Sequence, residues 1–106
     1  MMDKIIELLT ELEIPFAYDH FAEGESPDPP FICYRSPNSD NFGADGTVYL
    51  GVMIVDIELY TDKKDPEIES QLEGLLWNYG IFFNKSETYI ESEKLYEVIY
   101  SFEEVV

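Results

Sequence analysis

The chain has 106 residues, with 23 Asp and Glu against six Lys and Arg for a formal net charge of −17, yet 45% of it is hydrophobic and 15% aromatic. A disordered acidic tail is excluded, because that much apolar surface closes a core, and the length suits a single domain spanning residues 1–106. The surface is then a dense negative shell that repels nucleic acid and anionic membranes, leaving proteins, or DNA that slides past without adhering, as partners.

From Met2 to Glu13 the apolar residues Ile5, Leu8, Leu9 and Leu12 recur at the spacing of one helical face, and Pro15 ends the run. Phe16 to Phe21 reads as a short strand. The segment from Glu23 to Pro30 reads as a loop, since Gly24, Pro27, Pro29 and Pro30 deny it regular hydrogen bonding. Phe31 to Arg35 reads as a strand that carries the single cysteine, Cys33, as a buried small hydrophobe. Ser36 to Gly46 is expected to be a polar loop closed by the turn pair Asp45-Gly46.

Thr47 to Tyr60 gives the strongest strand signal, with Val48, Leu50, Val52 and Ile54 on one parity and Val55, Ile57 and Leu59 on the other. The switch near Val55 predicts a bulge, or a long strand buried on different faces at its two halves, and Gly51 leaves room for a bend. Asp65-Pro66-Glu67 is a helix start, with an N-cap before a first-position proline. Ile68, Leu72, Leu75, Leu76 and Tyr79 continue one face up to a C-terminal cap at Gly80. Thr88 to Ile90 and Leu95 to Phe102 then read as strands around a turn at Ser92-Glu93-Lys94, with Tyr96, Val98, Tyr100 and Phe102 on one side. The order predicts an α+β fold in which two helices pack on one face of a mainly antiparallel sheet.

Candidate chemistry is sparse. His20 is the only histidine, and one histidine with one cysteine does not reach the spacing of a zinc site or of a thiol nucleophile with its base. Asp40, Asn41, Gly43 and Asp45 fail the calcium-loop pattern, which ends in a bidentate Glu where this chain runs into Thr47-Val48-Tyr49-Leu50. No catalytic residue, metal or cofactor is expected. No apolar stretch reaches the roughly 20 residues of a membrane helix, and the acids around Lys4 do not make a secretion leader, so a cytoplasmic protein without membrane contact is expected.

The phrases Ala17-Tyr18-Asp19-His20-Phe21, Pro29-Pro30-Phe31-Ile32, the Asn38–Gly46 loop, Ile57 to Asp65, and Glu87 to Val98 together resemble small prophage proteins of Gram-positive bacteria. Those proteins are placed with the tail-completion class, the tail terminators and tail-to-head joining proteins of long-tailed phages. The resemblance covers nearly the whole chain and carries no catalytic signature. It implies a non-enzymatic structural protein whose copies close into a ring, a hexamer in the virion, in contact with the major tail protein and head–tail connector proteins; the charge of −17 on each copy opposes that closure, so the isolated protein is expected to be mostly monomeric. Sequence-specific nucleic-acid binding is not implied. Such a protein would reside in the host cytoplasm during assembly and then in the virion tail.

The loop residues Asn38, Asp40, Asn41, Phe42 and Asp45 are the candidate assembly contacts, because an exposed Phe42 on a polar, mobile loop gains nothing for a monomer. The charge also fits an acidic DNA mimic that inhibits a nucleic-acid-binding host factor.

Overall fold

The computed structural model describes residues 3–22, 24–39, 42–44, 47–50 and 52–105. Helix α1 (Asp3–Leu12) buries Ile5, Leu8, Leu9 and Leu12, the four residues whose spacing defines its apolar face. Glu13 takes a left-handed φ of 61° and Pro15 follows, so the helix stops at Leu12.

Strands β1 (Phe16–Tyr18), β2 (Phe31–Ser39), β5 (Val52–Thr61), β6 (Asn84–Ile90) and β7 (Leu95–Val105) form one sheet in the order β1-β2-β5-β7-β6. Every pairing is antiparallel except β1 with β2, which is parallel and aligns Phe16, Ala17 and Tyr18 with Ile32, Cys33 and Tyr34. Strands β3 (Phe42–Ala44) and β4 (Thr47–Leu50) pair as a second, two-stranded sheet.

Helix α2 (Pro66–Asn78) begins as its sequence dictates: Asp65 Oδ1 accepts from the Ile68 amide at 3.2 Å, and Pro66 occupies the first turn. It ends in a Schellman motif. Gly80 at φ 72° donates to Trp77 O at 2.9 Å, and Ile81 donates to Leu76 O at 2.9 Å, bringing Ile81 against Leu76 in the core. The Tyr79 hydroxyl donates to Glu11 and ties the end of α2 to α1; that bond and its acidic neighbours push the phenol up to about 12.

Both helices cover one face of the five-stranded sheet. Their buried leucines and Ile5 meet Ile32 and Tyr34 of β2, Val55, Ile57 and Leu59 of β5, and Val98, Tyr100 and Phe102 of β7. The register sets these side by side, with Leu59 opposite Val98, Ile57 opposite Tyr100 and Val55 opposite Phe102. The α+β architecture, the single layer of helices and the facing residues of α1, α2 and β7 match the periodicities.

Five local expectations are corrected, the first being that the last strand, expected to end at Phe102, runs on to Val105. The strand expected over Phe16–Phe21 ends at Tyr18, where Asp19 takes φ 65° and its amide turns to Tyr34 O at 2.7 Å. The strand expected to end at Arg35 runs on to Ser39, with an irregularity between Arg35 and Asn38 that accommodates Pro37, a residue with no amide hydrogen to give a ladder. The strand expected over Thr47–Tyr60 is two strands in two sheets, β4 and β5. The parity switch itself falls inside β5, where Val52 and Ile54 take the face opposite to that of Val55, Ile57 and Leu59, which meet the helices. The bend assigned to Gly51 lies outside the described residues. Finally, the strand expected from Thr88 starts at Asn84, a polar stretch that is exposed along almost its whole length and so carries no burial pattern to read.

Candidate functional site

The candidate assembly residues do not form a single loop. Asn38 is in β2 opposite Ile54, and Phe42 is in β3 opposite Leu50, so both belong to ladders. Asp40, Asn41 and Asp45 lie outside the described residues. The expected polar loop is thus largely the end of β2 and the hairpin that follows it.

The sheet face turned away from the helices carries the polar side chains that the fold brings together. Phe31, Cys33 and Arg35 of β2 stand opposite Tyr60, Glu58 and Asp56 of β5, which in turn stand opposite Glu97, Ile99 and Ser101 of β7. Arg35 Nε donates to Glu58 Oε2 at 3.1 Å. The Tyr60 hydroxyl lies 2.7 Å from Glu97 Oε2 and 3.1 Å from Glu58 Oε1, and Ser101 Oγ donates to Asp56 Oδ1 at 2.6 Å. A phenol has one hydrogen, so the shorter contact to Glu97 takes it. Burial, followed by the bond to Glu97, pushes the Tyr60 phenol strongly up.

One end of this face is closed by an aromatic cluster, with Phe21 edge-on to Phe31 at 5.6 Å and Phe31 stacked on Tyr60 at 5.1 Å. A cleft of about 250 Å³ beside it is lined by His20, Cys33, Tyr60 and Glu93 among others. Histidine and cysteine therefore share a cleft although they are far apart in sequence. The arrangement does not activate the thiol: burial, then Glu58 and Asp19, push Cys33 up to about 11, so it is protonated at neutral pH and a poor nucleophile. His20 Nδ1 instead pairs with the adjacent Asp19 carboxylate at 2.8 Å, in solvent. Among the described residues, no group of three or more His, Cys, Asp and Glu is placed to hold a metal ion.

A second charged group sits where α2 meets β6. Lys64 reaches Glu69 at 2.7 Å and also pairs with Glu87; Lys85 reaches Glu69 and Glu73, each at 2.8 Å, and the Tyr100 hydroxyl donates to Glu73 at 2.8 Å. Glu69 is buried. Burial alone would raise its carboxyl, but hydrogen bonds from Lys64 and Lys85 outweigh that and hold it below its ordinary value. This network spends two of the chain's six cations on fixing α2 to the sheet. It is a structural clamp.

Among the described residues, the most exposed apolar surface lies at the C-terminal end of α2, where Trp77 is 66% exposed and Phe82 is 91% exposed, with Trp77 stacked on Phe83 at 6.1 Å. Periodicity could not reveal these residues: Trp77 is off the core face of α2, and Phe82 sits in the short Ile81-Phe82-Phe83 run, where only Ile81 is buried. The described residues thus bring together aromatic surface and carboxylates. No protein-family model matches the chain, and no curated protein sequence matches it.

Proposed function

We propose that the chain is a virion structural protein that terminates a phage tail tube or joins tail to head as a ring of copies, a hexamer in the virion. The observation that carries this reading beyond the sequence resemblance is the uncovered aromatic surface of Trp77 and Phe82 on a molecule with a net charge of −17. Large exposed aromatics are enriched at protein contacts and cost a solitary acidic protein solubility. The acidic shell would line a lumen through which DNA slides without adhering. On this reading the partners are other copies of the chain, the major tail protein and the head–tail connector, met first in the host cytoplasm and then in the tail.

Copies carrying −17 repel one another, so assembly has to be driven by apolar and hydrogen-bonded surfaces and is opposed by charge. The repulsion reaches about 8 Å at physiological salt and about 3 Å at 1 M. Sedimentation across a salt series should therefore show a monomer at low salt and concentration and stronger self-association as salt rises. The second reading, an acidic DNA mimic, is favoured by the net charge of −17. A monomer at every salt and concentration that captures a basic DNA-binding protein, and releases it as salt rises, would replace the ring with the mimic.

A further inference from the structure

Strand β7 is longer than its outer neighbour. On one side it pairs with β5 along its length to Val105, opposite Val52; on the other, β6 begins only at Asn84, opposite Ser101. Residues Phe102–Val105 therefore present a bare sheet edge about 13 Å long, at the usual rise per strand residue. Alternate residues there aim both amide and carbonyl outward, and among the described residues no backbone group outside β5 meets them. The space is a recess of about 400 Å³, walled by Gly80 and Phe82 on one side and by Asn84 at its inner end, with Phe102, Glu103 and Glu104 along the edge itself.

We propose that this recess docks an extended, basic segment of another protein, added to β7 as a strand in line with β6. Three independent features select that occupant. The unpaired edge supplies main-chain hydrogen bonds to any extended chain. Phe82, 91% exposed on the wall, supplies an apolar contact for alternate side chains. The carboxylates of Glu103, exposed on the open face, and Glu104, on the helix face beside Lys4 at 3.4 Å, flank the edge on both sides and favour Lys or Arg in the incoming strand. A second copy of this chain is disfavoured at the same place, because antiparallel pairing of two β7 edges would set Glu103 and Glu104 against their own counterparts. The recess lies on one chain and so serves a solitary molecule and a ring subunit alike.

The test uses the full chain, labelled with ¹⁵N, titrated with short synthetic peptides that alternate Lys or Arg with Val or Phe. Controls are the same peptides N-methylated at alternate residues and acidic counterparts with Glu in place of Lys and Arg. Amide shifts confined to Gly80–Asn84 and Phe102–Glu104 are expected, with affinity weakened about tenfold or more by N-methylation or by Phe82→Ser, an exposed position whose change leaves the core intact. Glu103→Lys should reverse the preference between basic and acidic peptides. No shifts in those two segments at about 1 mM peptide would overturn the proposal. So would shifts that N-methylation leaves unchanged, which would report general attraction to an acidic surface, or concentration-dependent dimerisation through β7 without peptide, which would make a second copy the occupant.

Discussion

Replacing Glu69 by Gln keeps the size and planar shape of the side chain, removes its charge and turns one of its two accepting oxygens into an amide donor. In the folded protein the carboxylate is 5% exposed and accepts from Lys64 at 2.7 Å and Lys85 at 2.8 Å. A hydrogen bond to a charged group contributes about 1.5–3 kcal/mol when buried. Both lysines are close to 40% exposed and keep second partners, Glu87 and Glu73, so water and those carboxylates recover part of the loss. A net destabilisation of about 2 kcal/mol at neutral pH is expected, equivalent to roughly 8 °C in Tm for a domain of this size. The loss has a pH signature. The folded carboxyl titrates below its ordinary value of 4.5, so between the two values the unfolded chain binds more protons; the stabilisation is complete above 4.5 and disappears as pH falls through the folded value. Urea unfolding followed by circular dichroism at a series of pH values should show the Glu69→Gln deficit at pH 7 shrinking below pH 4.5. An equal deficit at pH 7 and at about pH 3, or none at either, would refute the clamp.

Leu72, fully buried between α2 and the sheet, should cost about 3 kcal/mol as Leu72→Ala, read from the urea midpoint. Two glycines of the α2 region should respond in opposite directions. Gly74→Ala, within the helix and with open space around an added Cβ, should stabilise by about 0.5–1 kcal/mol, whereas Gly80→Ala, at φ 72°, should destabilise by about 1 kcal/mol. A thiol reagent at pH 8 should modify Cys33 in the folded protein about two orders of magnitude more slowly than in the unfolded chain, since the buried thiol is pushed up to about 11; equal rates would show the thiol to be open.

The helices were legible because each has one buried stripe and chemical punctuation: the Ile5-Leu8-Leu9-Leu12 spacing for α1, and Asp65-Pro66 and Gly80 for the ends of α2. Strand β7 was legible as far as Phe102 for the same reason, since Val98, Tyr100 and Phe102 all face the core, whereas its extension through Glu103 and Glu104 to Val105 lies among acidic residues that carry no such pattern. The strand character of Asn38 and of Asn84 to Glu87 was hidden, because polar residues near a sheet edge form ladders through their backbones, which hydrophobic periodicity does not record. The parallel pairing of β1 depends on where Phe16 lands beside Ile32, a long-range register with no local signal. The open-face carboxylates were visible only as members of an acidic crowd. What distinguishes Glu58 from the rest is the fold, which lays Arg35 and Tyr60 beside it.

The position of β7 constrains how the chain acquires its structure. It lies between β5 and β6, so Val55, Ile57 and Leu59 find their cross-strand partners only when Phe102, Tyr100 and Val98 arrive. During synthesis, the ribosome must deliver nearly all the described residues before the central pair can close. Until then β5 presents an apolar edge next to the completed β2 pairing, an arrangement prone to associate with other nascent chains. The chain's net negative charge would keep those unfinished chains apart, so substituting surface acids by neutral residues should lower soluble yield more than it lowers the stability of the protein once folded.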